Sequence, residues 1–313
     1  MKGTVYKSTG SWYLVKTDDG TFYECRIKGK FRIHGIKNTN PVAVGDHVIF
    51  EMEVKTGLGV ITEILERENY LIRKSVNLSK QTHILAANID QLFLVVTLKE
   101  PTTMTTFMDR ILITAEAYGI RPILVFNKID IYNSEELLDM EHLIGLYHDI
   151  GYESIRVSAY LQQNISSLRE KMKDRVSIFA GHSGVGKSSL INAVEPGLDL
   201  RTKEISQQHL QGQHTTTFAE MFDLSEGGQI IDTPGIRGFG VVDIEPEELA
   251  DYFPEFFALK SSCKFNNCLH LNEPDCAVKD ALEKDQLAWS RYQSYLQIME
   301  GDDTYRSDMV EEV

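Results

Sequence analysis

The run Val176-Ser177-Ile178-Phe179-Ala180-Gly181-His182-Ser183-Gly184-Val185-Gly186-Lys187-Ser188-Ser189-Leu190-Ile191 passes from a short apolar strand through a glycine-rich turn into a helix. Its centre, Gly181 to Ser188, fits the spacing G-x-x-x-x-G-K-[ST]. The glycines let backbone N–H groups converge on phosphate oxygens, and the helix start adds the positive end of its dipole. Lys187 is expected to reach the β- and γ-phosphates and to stabilise charge during phosphoryl transfer. The Ser188 hydroxyl is expected to hold Mg²⁺. Gly181, His182, Ser183, Gly184, Val185, Gly186, Lys187, Ser188 and Ser189 form the expected phosphate-contacting set. The plainer reading is a strand-to-helix turn with no ligand; a Lys-Ser pair at this spacing and in this context argues against it.

Upstream of this loop, strands and helices alternate. Strands are expected at Gln91–Leu98, Pro122–Phe126 and Ser154–Val157, and helices at Phe107–Tyr118, Ser134–Asp149 and Ile165–Met172. Downstream come the helix Lys187–Val194 and a hairpin, Phe218–Leu224 with Gln229–Ile231. This pattern predicts a doubly wound α/β domain. Asp232-Thr233-Pro234-Gly235 follows the last strand, where Asp232 suits a second Mg²⁺ contact and Gly235 an N–H on the γ-phosphate. Asn127-Lys128-Ile129-Asp130 follows the strand Pro122–Phe126. A carboxylate there can accept from both N1–H and the exocyclic amine of guanine, so Asp130 selects guanine. Asn127 braces the site, the Lys128 stem lies along the base, and backbone N–H groups at Ser158 and Ala159 meet the base oxygen.

The order of these motifs is unusual. The base readers precede the phosphate loop, and the threonine-rich run His214-Thr215-Thr216-Thr217 and then Asp232–Gly235 follow it. The domain therefore reads as circularly permuted, which is tolerable because domain termini lie near each other at the surface. Where many such enzymes carry a water-orienting Gln after the D-x-x-G, this chain has Ile236. His214 is the candidate replacement, since an imidazole can hold a water or accept its proton near neutral pH. One of Thr215, Thr216 and Thr217 is expected to ligate Mg²⁺; the sequence does not say which.

The two ends differ in charge and pattern. The 313-residue chain carries net −14, yet residues 1–40 hold 8 Lys/Arg against 3 Asp/Glu, and residues 243–313 hold 6 against 17. A basic head on an acidic body suits phosphate contact at one end. Residues 1–67 read as short strands parted by turn signals, as in a small closed barrel. An OB-fold is the natural candidate, and an SH3-like barrel leaves a similar trace. Lys28, Lys30, Arg32 and Lys37, set among Phe31 and His34, suit RNA backbone and stacking contacts.

Helices are expected at Glu247–Leu259 and Ala277–Met299, with a core stripe of Trp289, Tyr292, Tyr295, Leu296 and Met299. Between them, Cys263-x4-Cys268-x-His270-x5-Cys276 offers three thiolates and an imidazole, a closed tetrahedral set for one structural Zn²⁺. Cys25 reads as a small core residue. No apolar run reaches the roughly 20 residues of a membrane span, and no secretory leader is evident. A cytoplasmic protein is expected, with domains at 1–67 (barrel), 68–243 (GTPase) and 244–313 (helical, zinc-binding).

The permuted order, flanking barrel and cysteine cluster resemble the RsgA (YjeQ/YloQ) family of circularly permuted, small-ribosomal-subunit-dependent GTPases. Asp109-Arg110, Ala115-Glu116, Gly119-Ile120-Arg121-Pro122, Glu204-Ile205-Ser206 and His214–Thr217 are similar to the family's stretches. Gln213 departs from it, standing where the family often has Arg. The resemblance implies a monomeric GTP hydrolase of late 30S assembly, stimulated by the subunit and contacting its rRNA, with GTP and GDP states controlling docking and release. The competing reading is an RNA-binding module in which nucleotide is only a structural ligand.

Overall fold

The computed structural model describes residues 1–27, 41–74, 82–198, 219–232 and 244–301. The expected roles of His214, Thr215–Thr217 and Gly235, and of the basic cluster at Lys28–Lys37, fall outside the described residues.

Five N-terminal strands close into a barrel: β1 (Lys2–Ser8), β2 (Tyr13–Lys16), β3 (Phe22–Ile27), β4 (His47–Met52) and β5 (Gly59–Ile64). Their order is β1-β2-β3-β5-β4, with β4 returning to pair with β1 and β3 running parallel to β5. That Greek-key order is OB-like and resolves the choice between barrel types. Alternation along the strands sends Val5, Tyr13, Val15, Cys25, Val48, Phe50 and Ile61 inward. Cys25 is the small core residue expected. A hairpin of β6 (Tyr70–Lys74) and β7 (Thr82–Ala87) follows. The barrel is tied down by Asp46, buried, whose carboxylate accepts from Arg67 Nε and Nη2 at 2.6 and 2.7 Å. Such a two-point guanidinium–carboxylate pair fixes orientation as well as distance.

The central sheet holds β8 (Gln91–Val96), β9 (Arg121–Phe126), β10 (Glu153–Arg156), β11 (Val176–Ala180), β12 (Glu220–Asp223) and β13 (Gln229–Asp232). The order is β10-β9-β8-β11-β13-β12, all parallel except β12. Side chains of β8 alternate between the two faces. Leu92, Leu94 and Val96 pack with α1 (Thr105–Ala117) and α2 (Ser134–Ile150); Phe93 and Val95 pack with α3 (Ile165–Met172) and α4 (Lys187–Val194). Two covered faces explain why β8 is buried at every position.

The barrel joins this sheet directly. In β1, Lys7 is the register partner of Glu220 in β12, and its ammonium meets that carboxylate at 2.8 Å. Tyr6 Oη donates to Asp223 Oδ1 at 2.7 Å.

The C-terminal part has α5 (Pro254–Lys260), α6 (Ala277–Glu283) and α7 (Trp289–Met299) around Phe253, Phe256, Val278, Tyr295 and Ile298. Three expectations are corrected here. The expected helix 247–259 is a 3₁₀ turn at Leu249–Tyr252 followed by α5, because Pro254 lacks an N–H and starts a helix rather than continuing one. The expected helix 277–299 breaks near Asp285, whose φ is +53°. Trp289 is 59% exposed, so Ile298 takes its expected place beside Tyr292 and Tyr295 in the core.

Candidate nucleotide-binding site and metal centre

Strands β8, β9, β10, β11 and β13 all run the same way, so their following loops meet at one sheet end. The neighbours of β8 belong to different halves of the chain. The crevice therefore lies where parallel α/β sheets place their ligands. The phosphate loop leaves β11 there. Gly181, at φ +143°, passes so close to β8 that a Cβ would stand 2.6 Å from the Val95 carbonyl oxygen. Val185 is fully buried and anchors the loop from below. Lys187 Nζ donates to the Gly181 and His182 carbonyls at 2.7 and 2.5 Å, which sets the ammonium inside the curl of the loop.

The base-side motif is fastened to this loop through one side chain. Asn127, 1% exposed, donates from Nδ2 to the Val185 carbonyl at 2.8 Å and accepts at Oδ1 from the Ala159 N–H at 3.2 Å. Gly186, at φ +95°, leaves room for that amide; a Cβ would lie 2.4 Å from Asn127 Nδ2. Ser158 Oγ donates to Asp130 Oδ1 at 2.5 Å, so a buried hydroxyl orients the carboxylate. Lys128, at φ +62°, reaches from this loop to the Glu100 carbonyl after β8.

The backbone N–H groups expected to meet the base oxygen have partners within the protein. The Ala159 N–H is engaged by Asn127 and the Ser158 N–H by the Gln163 carbonyl at 3.2 Å. Asp232 ends β13 opposite Glu220 in β12. Burial pushes its carboxyl up and Glu220 adds to this, while the charge of Lys187 opposes both. Sequence reasoning did not find the Phe107 ring, which stacks on His182 of the phosphate loop with centroids 3.7 Å apart. No local signal pointed to it.

The four C-terminal ligand candidates converge. The ligand atoms of Cys263, Cys268, His270 and Cys276 lie within 4.8 Å of one another. His270 Nδ1 stands 3.7 Å from Cys263 Sγ and 3.4 Å from Cys276 Sγ. With metal–sulfur bonds near 2.3 Å and metal–nitrogen bonds near 2.0 Å, tetrahedral neighbours stand about 3.5–3.8 Å apart, so the residues fit a metal ion.

The frame around them is rigid. His270 sits at φ +58°, its carbonyl takes the Tyr292 hydroxyl at 2.7 Å, and the Leu269 carbonyl takes that of Tyr295 at 2.6 Å. The Glu273 carboxylate accepts from the Leu269 and Leu271 N–H groups, both at 2.8 Å. Burial lowers the His270 pKa, keeping the imidazole neutral as a ligand must be. Burial raises the Cys268 thiol to about 12, a direction that a bound cation reverses. The cluster can hold a metal.

The comparisons with known proteins agree with this geometry. A family model described as RsgA GTPase matches residues 64–242, and one described as RsgA N-terminal domain matches residues 2–61. The chain is 65% identical to the small ribosomal subunit biogenesis GTPase RsgA of Christiangramia forsetii, over 98% of this chain and 99% of that one. It is 61% identical to the Flavobacterium johnsoniae protein of the same name, over 99% and 96%. Among solved structures it is similar to YjeQ from Thermotoga maritima, with TM-score 0.79 and 36% identity over 96% of this chain and 97% of that one. It is also similar to YloQ, described as a circularly permuted GTPase, with TM-score 0.75 and 33% identity over 96% and 94%. A permuted nucleotide crevice, an OB-like barrel before it and a Cys₃His cluster after it thus fall together in one polypeptide, and the chain belongs to the RsgA GTPase family.

Proposed function

We propose that the chain hydrolyses GTP as a switch in late maturation of the small ribosomal subunit, working as a cytoplasmic monomer that contacts the subunit's rRNA. The observation that carries this reading is the bridging Asn127 side chain. It fastens the base-side loop of Asp130 to the phosphate loop of Lys187, so two motifs from opposite halves of the sequence address one ligand. The names of the relatives supply the subunit. Among the described residues no helix is long and apolar enough to cross a membrane.

In this reading Asp130 accepts from N1–H and the exocyclic amine of guanine, while Ser158 fixes its rotamer. The backbone from Gly181 to Ser189 wraps the phosphates, and Lys187 leaves its loop carbonyls for the β- and γ-phosphate oxygens. Ser188, one of Thr215–Thr217 and Asp232 hold Mg²⁺, which when bound with the nucleotide neutralises charge on its phosphates. Gly235 gives an N–H to the γ-phosphate. His214 orients or deprotonates the attacking water in place of the usual Gln. Cys263, Cys268, His270 and Cys276 hold one Zn²⁺, whose closed ligand shell leaves no position for substrate and suits a structural role. GTP contacts at Thr215–Thr217 and Gly235 order both switches, and the second leads into residues 244–313.

The test is the GTPase rate against added 30S particles. Wild type is expected to be slow alone and strongly stimulated. His214→Ala is expected to lose about 10²-fold or more of the stimulated rate, the usual worth of a positioned acid–base group. No stimulation of wild type would favour the RNA-binding module with a structural nucleotide.

Gly186→Ala is expected to weaken GDP binding by roughly 10- to 100-fold in a fluorescent-nucleotide titration. A left-handed residue with a Cβ costs about 1–3 kcal/mol, and here that Cβ also meets the bridging amide.

A further inference from the structure

We propose that Arg291, on α7, is a positioning residue for the phosphate loop and acts on it through α1. The inference rests on the GTPase reading above and goes beyond it, because it uses neither of the two switch segments. Helix α1 is buried at nine consecutive positions, Phe107 to Ala115. A helix closed on every face is sandwiched, and it cannot shift without moving both neighbours. One side packs on the central sheet through Met108, Ile111 and Leu112, while Ile113 belongs to the C-terminal core.

Polar ties lead from it to α7. Thr106 Oγ1 donates to Gln297 Oε1 at 2.9 Å. Asp109, fully buried, accepts from Arg291 Nη1 at 2.5 Å and from the Tyr147 hydroxyl at 2.7 Å. Arg291, 1% exposed, also donates from Nε and Nη2 to Glu255 at 2.6 and 3.2 Å and lies over the Phe253 ring. This ion triad joins α1 and α2 to α5 and α7. Removing the guanidinium would leave two carboxylates without their counter-charge, which drives rearrangement rather than a quiet loss.

The same N-terminal turn of α1 touches the nucleotide loop. Phe107 lies two residues before Asp109, about 3 Å along the axis. Its ring stacks on His182, whose own carbonyl seats Lys187 Nζ. The route is therefore Arg291, Asp109, Phe107, His182, Lys187, with one stiff helix in the middle. Whatever orders α7 pre-pays part of the ordering of the phosphate loop. By linkage, nucleotide in the loop must tighten α7 by the same factor.

The experiment uses the full-length, metal-loaded protein. Affinity for mant-GDP is measured alongside hydrogen exchange of residues 289–299 with and without saturating GDP. Arg291→Met is expected to weaken mant-GDP binding about 5- to 150-fold, the usual span of site-to-site coupling, and to raise KM more than it lowers kcat. In wild type GDP is expected to slow exchange in 289–299. Phe107→Leu is expected to abolish that slowing, because Phe107 is the contact of α1 with the phosphate loop, and it keeps the test valid where Arg291→Met does not fold. Mant-GDP affinity within twofold of wild type in Arg291→Met, or GDP-dependent slowing retained in Phe107→Leu, overturns the proposal. Lowered Tm with unchanged affinity would reduce Arg291 to a structural bolt. A wild-type chain that takes up no mant-GDP removes the nucleotide reading itself, whereas binding with unaltered variants removes only the coupling.

Discussion

Asp130→Asn is expected to cut GTP affinity by roughly 10²- to 10⁴-fold and to turn the protein toward xanthosine triphosphate. The carboxylate reads both donors of the guanine edge. Two hydrogen bonds to a charged acceptor are worth about 1.5–3 kcal/mol each, so weakening one to a neutral bond and turning the other into a donor–donor clash costs about 3–6 kcal/mol. The replacing amide keeps one acceptor oxygen and presents N–H donors where a second acceptor stood. Guanine then meets donor against donor. Xanthine carries a carbonyl in place of the exocyclic amine and meets donor against acceptor. Ser158 still has an oxygen at position 130 to bond, so the loop should keep its shape. Competition of GTP, ATP and xanthosine triphosphate for mant-GDP reads the outcome. Equal losses for all three nucleotides would mean loop damage, and undiminished GTP binding would remove Asp130 from the base site.

The nucleotide crevice was legible because its signals are local. A strand, a glycine turn and a helix follow one another within Val176–Val194, and β11 and α4 begin and end where the pattern places them. The same holds for the cysteine cluster, whose ligands lie within 14 residues. What escaped were pairings between distant parts of the chain. Strand β1 has a mixed pattern and is a strand because β2, β4 and β12 border it, the last more than 200 residues away. Asp109 read only as part of a family-like stretch, since its partner Arg291 stands 182 residues on. The break between α6 and α7 was invisible for another reason. Residues 284–288 contain neither Gly nor Pro, and a helical period runs through them unless the tertiary core objects. The break at Pro254 did carry a sequence signal, a residue suited to start a helix and unable to continue one.

Metal removal should have the second large effect, and it should be confined to one part of the molecule. Chelation, or Cys276→Ser, is expected to abolish fixed structure over residues 249–299 while the central sheet stays folded. Cys268 and Cys276 are members of the C-terminal core, packed with Phe256, Val278 and Tyr295. That core is small, three helices of 7, 7 and 11 residues with a long irregular connection between the first two. Helices this short do not hold alone. A structural zinc contributes on the order of 10–16 kcal/mol, more than such a core has to spare. The central sheet has its own cores on both faces and should survive. Its exposed flank would be α1, with Asp109 stripped of Arg291, so guanine nucleotide binding should persist but weaken. Hydrogen exchange read separately over 91–194 and 249–299, before and after a chelator and again after Zn²⁺ is restored, distinguishes local from global loss. Unchanged protection in 249–299 would show that the thiols pack without a metal; equal loss in both regions would show that the two parts fold as one.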